Sequence, residues 1–499
     1  MQKSYADHMN EISAEQLYEG LLAHGMFAEK LPPIFTSEPF FDYCNNLRHN
    51  FPESEKQFVY YESIRNINTP RSLGIPNPMG YQRLCRCLAD NWDKLQQHFA
   101  SNTRGQTHKA SRIHLRKLAN QKCLFAMNYN NWRIDDSPEP ELLLGKRYFV
   151  SADISNCFPS IYTHSLPWGL IGKCHAKMNR NKTEWFNKID HCCQQIKTGE
   201  THGLLIGPHA SNLLSELILT VVDKNLYDRG WRFVRWIDDY NCYVSSYEAG
   251  QQFLVDLSEE LRHFDLSLNH KKTSIQELPI PREKLWKRNI NSISLITKHG
   301  KVDFKVTQSF LDSAVELMRN NNMDSAVLNY AIKTLSSQPL TDNAKIYFTK
   351  TVLHLAIIFP YLIPLLDEYL FTRLSVSQDE IIQFSQMVFM DGLKGRNFEA
   401  ACFALYFALK YNFTLQNLDA TEVAKSGSCI YAVLAFKYFE KQGDTAAKKV
   451  LRDFAKALVQ NNDDFERNWL FAYEVLSKSD LKGDWKPMKQ AKVSFLRQI

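Results

Sequence analysis

Two adjacent carboxylates, Asp238 and Asp239, lie between two runs of strand-forming residues in the stretch WRFVRWIDDYNCYVSSY, Trp231 to Tyr247. Arg232 to Ile237 and Tyr240 to Ser245 are rich in aromatic and β-branched residues and contain no Gly or Pro, which predicts a hairpin with the acidic pair at its tip. Like charges side by side are unfavourable without a cation near them, so the pair points to a hard divalent ion with oxygen ligands, Mg²⁺ first and Mn²⁺ as its substitute. The competing reading is that Asp-Asp is simply a good turn dipeptide. A third acid, Asp153, ends a second strand-like run, Arg147 to Ala152, and is followed by ISNCFPS. A two-metal site requires such a carboxylate opposite the pair.

These acids need elements to hold them in place. Between Asp153 and the hairpin lies THGLLIGPHASNLLSELIL, Thr201 to Leu219. Gly203, Gly207 and Pro208 form a turn that lets backbone approach a ligand, and a helix is expected from about Ala210 with Ser211 near its start. After the hairpin, an amphipathic helix over Gln251 to His263 runs into LSLNHKKTSI, which sets Lys271 and Lys272 beside a short strand. From Ser101 to Arg133 there are seven Lys and Arg residues, among them Arg112, Arg116 and Lys117, and no acid. Interleaved with Leu118, Leu124, Phe125, Tyr129 and Trp132, they read as a phosphate-contacting surface or as a solvated face balanced from elsewhere in the fold. Further upstream, TPRSLGIPNPMGY (Thr69 to Tyr81) reads as an irregular connector with at most a short extended piece over Leu73 to Ile75, between helical patterns at Ile12 to His24 and Tyr81 to Phe99.

In order, these are a strand with Asp153 and Phe158, a Gly-rich turn with Ser211, an aromatic-x-Asp-Asp hairpin, and Asn269-x-x-Lys272-Thr273. The series resembles the palm of reverse transcriptases, over residues 60–280. The resemblance implies that Asp153 and Asp238 hold two Mg²⁺ ions, with Asp239 supporting the site and the Ile154 main chain as a further metal ligand. It implies that Phe158 is the aromatic gate against a ribose 2′-hydroxyl and that Lys272 is the proton donor to departing pyrophosphate. Gly207, Pro208 and Ser211 become nucleotide-binding, and Arg112, Arg116 and Lys117 candidate triphosphate contacts. Trp236 departs from the Tyr or Phe usual at its position.

Composition sets the outer bounds. At 499 residues with 44% apolar and 12% aromatic residues, the chain has material for two to four domains and little disorder, and a net charge of +6 names no partner. Eleven scattered cysteines read as reduced cytosolic thiols. Cys174-His175 and His191-Cys192 are a zinc alternative without finger-like spacing. The polar opening MQKSYADHMNE shows no signal peptide, and the most apolar window, Val352 to Leu366, is short and broken by Pro360 and Pro364. A cytoplasmic protein without membrane contact is expected.

Beyond Pro281 the pattern turns helical. Apart from a short hairpin expected around Lys298 to Phe304, amphipathic helices are predicted at Gln308–Arg319, Met323–Leu335, Asp342–Ile358, Gln378–Phe389, Asn397–Tyr411, Gly427–Lys441, Asp444–Val459 and Phe465–Ser477. Paired helices with short loops suggest an α-solenoid, against an ordinary helical bundle. The expected fold is therefore α+β: a fingers and palm domain over 1–290, then an all-α, HEAT-like helical-repeat domain over 291–499 in place of a conventional thumb. A palm with such a tail, preceded by PRSLGIPNP, resembles the abortive-infection reverse transcriptases of bacterial phage defence, the AbiK-like group and its shorter P2-prophage type. That resemblance implies template-independent polymerisation of deoxynucleoside triphosphates, primed by a tyrosine hydroxyl, in a homo-oligomer whose single-stranded DNA product stays covalently attached. Tyr5, Tyr18, Tyr43, Tyr60 and Tyr61 are candidate primers. A templated reverse transcriptase of the retron or intron kind, and a helical binding scaffold with a silent palm, are the alternatives.

Overall fold

The computed structural model describes residues 3–47, 51–64, 70–112, 115–117, 123–124, 138–295 and 300–498. Two sheets form. The first is a hairpin of β1 (Phe58–Ile64) and β2 (Pro70–Pro76), paired in register from Phe58 opposite Pro76 to Ile64 opposite Pro70. The expected connector is thus a full strand. Its prolines stand at the two ends, where a missing N–H is tolerated, and Gly74 brings its backbone onto the later Gly-rich turn by donating to the Ile206 carbonyl at 2.9 Å. A Cβ at Gly74 would come within 2.8 Å of Leu205. Pro78 begins a helix, Pro78–Asp90, at a position where proline is well accepted, and Asn91 separates it from Trp92–Thr103, so the predicted single helix over Tyr81 to Phe99 is two.

The second sheet is antiparallel and four-stranded, in the order β4-β5-β3-β6, with β3 Tyr148–Asp153, β4 Phe233–Trp236, β5 Asp239–Val244 and β6 Ser274–Glu277. Its alternating buried residues, Val150 and Ala152 on β3 and Tyr240, Cys242 and Val244 on β5, face the helices that cover it. The helix Tyr247–Arg262 packs on β3, β5 and β6, and Gly250 keeps it close, since a Cβ there would meet Val150 and Ile275 at 3.2 Å. The long helix His209–Asp228 carries its buried face against Trp92–Thr103, Ser165–Ile171 and Tyr247–Arg262.

From Phe304 the described chain is helical, with Phe304–Asn320, Ser325–Ser336, Asp342–Ile358, Gln378–Lys394, Phe398–Tyr411, Cys429–Gln442 and Thr445–Leu458 close to expectation. Each packs on a near neighbour in sequence. Between Pro360 and Thr372 a mixture of 3₁₀, α and π turns interrupts the series, and Asn468 splits the last predicted helix into Asn462–Arg467 and Trp469–Val475. Lys298 and His299 of the expected hairpin lie outside the described residues, and Phe304 starts a helix capped by Asp303. No helix among the described residues is long and apolar enough to cross a membrane.

The helical half grips the first hairpin. Buried Glu466 accepts from the Gln57 amide at 2.9 Å and pairs with Lys56 at 2.8 Å, while buried Glu399 accepts from the Ile64 amide at 2.6 Å and the Ser63 hydroxyl at 2.8 Å. These carboxylates satisfy edge donors at both ends of β1 that would otherwise be stranded. The C-terminal segment also returns to the start of the chain, pairing Leu496 with Phe35, and the buried apolar residues form one continuous cluster from Tyr5 to Leu496.

Candidate active site

The register of the four-stranded sheet decides which acids meet. Asp153, the last residue of β3, pairs directly with Asp239, the first residue of β5, and Asp238 occupies the turn between β4 and β5. The Ile154 amide donates to the Asp238 carbonyl at 3.1 Å, tying the turn to the residue after Asp153. Asp153 is buried, Asp238 half-buried and Asp239 exposed. Desolvation, the hydrogen bond to Asp153 and repulsion from Asp238 raise the Asp239 carboxyl to about 7, and burial followed by repulsion from Asp153 raises that of Asp238. The trio therefore carries more negative charge than its surroundings neutralise.

Lys272 and Asn269 answer part of that charge. Lys272 Nζ donates to Asp153 Oδ2 at 2.9 Å and Asn269 Nδ2 to Oδ1 at 3.0 Å, while the Asn269 amide holds the Asp153 carbonyl at 2.7 Å. The contact with Asp153 raises the pKa of Lys272, which keeps its proton. Among the described residues no three His, Cys, Asp or Glu side chains are gathered as a formed metal cage. The donor chemistry does fit a hard divalent ion: the groups are oxygens only, carboxylates plus the Ile154 main chain, and burial with mutual repulsion raises two of the carboxyls, a cost that a cation would relieve. Cys174 is exposed and Cys192 buried, and all eleven cysteines are free.

The turn that carries Asp238 is held from below by a feature the sequence reading missed. Ile237 is in the left-handed region at φ 54°, a costly conformation for a β-branched residue. Arg235, fully buried on β4, donates through Nη1 to the Ile237 carbonyl at 2.6 Å. The same guanidinium grips Glu216 at 2.7 and 3.2 Å and Asp223 at 2.6, 2.9 and 3.0 Å, both on the helix His209–Asp228. Tyr240 and Tyr5 hydroxyls donate to Asp223 and Glu216 at 3.1 and 3.0 Å. A charged residue inside a hydrophobic strand, with acids seven apart on one face of the preceding helix, was the available signal.

Other predicted residues fall around this centre. Phe158 lies in the short helix Cys157–Ser160, half-buried, and its carbonyl accepts from Leu204 at 2.8 Å, which binds it to the Gly-rich turn. Gly203 is required there: at φ 85°, its Cβ would strike the Pro159 carbonyl at 2.8 Å. Gly207 has φ 129°, Pro208 caps the following helix, and Ser211 is buried in its first turn. Arg112 is buried, with its guanidinium 5.3 Å from the ring centre of Trp236 and 3.5 Å from Glu139; Arg116 is also buried and Lys117 is exposed. Most of the remaining basic segment, including Lys122, Phe125, Tyr129 and Trp132, lies outside the described residues. Of the five tyrosines, Tyr18, Tyr43 and Tyr61 are buried and Tyr60 is exposed against Ser72 and Glu62. Tyr5 is buried beside Ile237 in a small cavity shared with Asn212 and Glu216.

Comparison with known proteins bears on this arrangement. Residues 84–313 match the family described as reverse transcriptase (RNA-dependent DNA polymerase). A reverse transcriptase domain is present. That domain indicates a DNA polymerase-like nucleotidyltransferase, and the chain is of mixed α+β structure. No curated protein matches the chain. Among solved structures it is similar to the apo telomerase of Candida tropicalis truncated from its C-terminal domain, with 11% identity over 48% of this chain and 55% of that one and a TM-score of 0.29. The untruncated apo telomerase of Candida tropicalis gives 13% identity over 74% and 71%, TM-score 0.31. Candida albicans telomerase with a TWJ fragment of telomeric RNA gives 11% over 87% and 70%, TM-score 0.31. The chain spans about 55% of the first of these structures.

Proposed function

We propose that the reverse transcriptase domain polymerises deoxynucleotides without a template from a tyrosine of its own chain, in abortive-infection defence against phage. The observation that carries the catalytic part is the pairing of Asp153 with Asp239, with Asp238 on the adjoining turn and Lys272 on Asp153. In this reading Asp153, Asp238 and the Ile154 main chain hold divalent metal, with Asp239 supporting them. Mg²⁺, when bound, supplies charge compensation for the attacking and departing oxygens. Arg235 and the Ile154 amide keep the Asp238 turn fixed while substrate enters. Phe158, anchored to the Gly-rich turn, stands against a 2′-hydroxyl, so deoxynucleotides are selected. Lys272, protonated at Nζ, gives its proton to pyrophosphate as the new phosphodiester forms.

The helical tail supports the abortive-infection assignment. It follows the palm where a duplex-gripping thumb is otherwise expected, and it clamps β1 through Glu399 and Glu466. We read it as the HEAT-like half of the protein, beginning near residue 291, and the active species as a cytoplasmic homo-oligomer with attached single-stranded DNA. Tyr5 shares a small cavity with Ile237 of the catalytic turn, and use of its hydroxyl would require the N-terminal helix to release Glu216. The test is to sequence the DNA made from an equal mixture of deoxynucleotides with Mg²⁺, with and without an added RNA template and primer. Products whose sequence ignores the template support the proposal. Products complementary to it assign the domain to templated synthesis instead.

A further inference from the structure

A second built cavity lies on the far side of the Gly-rich turn. It encloses about 390 Å³ between the residues that follow Phe158 and the helix Trp185–Gln195. The link to the catalytic centre is backbone: Tyr162 bridges His202, and the Gly203 amide donates to the Ile161 carbonyl at 2.9 Å. One wall is aromatic, with the Tyr162 ring edge-on to His164 at 4.9 Å and to Trp168 at 5.8 Å. The floor holds Asp190, whose buried carboxylate accepts from Gln194 Nε2 at 2.6 Å and from His164 Nδ1. That contact engages His164 Nδ1 and leaves the ring's Nε2 outside it.

The rim is cationic. Lys177, Arg180 and Lys182 line it, all are exposed, none forms an ion pair with an acid among the described residues, and Arg180 Nε donates to the Lys177 carbonyl at 3.1 Å. The surrounding segment, KCHAKMNRNKTEWFNK from Lys173 to Lys188, places five Lys and Arg residues against a single acid, Glu184. Surface charges normally alternate in sign, and an unbalanced cluster raises the local concentration of anions. A planar wall and three cations without an acidic partner among the described residues, in a cavity of this size, match the parts of a nucleotide: base plane and phosphodiester.

We propose that this cavity binds one nucleotide unit of a single-stranded polynucleotide, with the phosphodiester on Lys177, Arg180 and Lys182 and the base against Tyr162. Identifying that strand with the polymerase's own product rests on the function proposed above, whereas the binding itself does not. The test therefore measures affinity in the full chain carrying Asp238→Ala, using fluorescence anisotropy with labelled short oligodeoxythymidylate and, separately, oligouridylate. Joint reversal of Lys177, Arg180 and Lys182 to Glu is expected to weaken binding at least about tenfold and to lower the salt slope by about 2. The same reversal at Lys449, Arg452 and Lys456, on the remote helix Thr445–Leu458, is the control and should have a much smaller effect. Tyr162→Leu should weaken binding about tenfold, while Tyr162→Phe, which keeps the ring and reports on folding, should bind as the parent does.

The tighter of the two probes tells whether the strand is deoxyribose product or ribose template. Equal effects of the cavity and control reversals would overturn the proposal. So would wild-type affinity in a folded Tyr162→Leu chain combined with full displacement by inorganic tripolyphosphate, because the cavity would then be an anion patch alone. Loss of polymerisation elsewhere in the protein leaves these readings unchanged, so the two proposals fail separately.

Discussion

Replacing Arg235 by Met should uncouple the catalytic turn from the helix that supports it. Met approximates the volume of the guanidinium side chain but removes six hydrogen bonds at once: three to Asp223, two to Glu216 and one to the Ile237 carbonyl. Two acids then face each other without their shared cation, in a place where burial already raises the Asp223 pKa. Removing one partner from a buried ionic network costs about 3–5 kcal/mol, most of it from the charge left behind. The turn loses its only side-chain anchor among the hydrogen bonds described for Ile237, and Ile237 holds a backbone conformation worth roughly 1–3 kcal/mol of strain. Urea unfolding followed by tryptophan fluorescence should show the stability loss, and nucleotide incorporation measured where the variant remains folded should fall about 100-fold, as for a catalytic group displaced by an ångström.

A compound variant separates the two effects. Adding Glu216→Gln and Asp223→Asn to Arg235→Met removes the uncompensated charge and should restore most of the stability. Activity should stay low, because the Ile237 carbonyl still lacks its donor. Arg235→Lys keeps the charge without the fork and should fall between wild type and Met in both assays. Wild-type incorporation by folded Arg235→Met would refute the claim that this residue positions the turn.

Lys272→Ala should slow incorporation about 100-fold, with a smaller effect on nucleotide affinity, as expected for a group that gives a proton at the leaving oxygen; rapid-quench kinetics would show it. Phe158→Ala should reduce the preference for deoxynucleotides over ribonucleotides by about 10- to 100-fold in competition assays. Glu399 is buried, and desolvation raises its carboxyl from 4.5 to about 7 despite hydrogen bonds from Ile64 and Ser63. A carboxyl raised on folding favours the folded state fully below about 4.5 and ceases to do so as pH rises through about 7. The stability difference between wild type and Glu399→Gln should therefore move against wild type by about 2.5 kcal/mol between pH 5 and pH 8, measured by urea unfolding at each pH. A pH-independent difference would show that the β1 clamp does not titrate.

The parts of this molecule that were readable from sequence are those set by local pattern. Strand composition around Asp153, Asp238 and Asp239 located three acids that the sheet register then brought to one end. Most of the later helices follow from apolar spacing within a few residues. What escaped was decided by partners distant in the chain. PRSLGIP became a strand because β1 lies beside it and the Gly74 backbone meets Ile206, a contact no local propensity reports. Arg235 reads as an interruption of a strand until Glu216 and Asp223 are placed beneath it. Glu399 and Glu466 resemble ordinary helical surface acids, yet they cap a strand more than 300 positions away. Asn91 and Asn468 divide helices whose apolar periodicity continues across the break.

The most direct test of the central claim, that these three acids catalyse nucleotide transfer onto the protein, uses purified chain, Mg²⁺ and labelled deoxynucleotides with neither template nor primer. Wild type and Asp238→Ala are resolved side by side on a denaturing gel. The account predicts label that stays with wild-type protein through denaturation, is released by protease, and falls on the order of a thousand-fold in the variant. Equal labelling of the two proteins, or no label on wild type with or without an added template and primer, would contradict it.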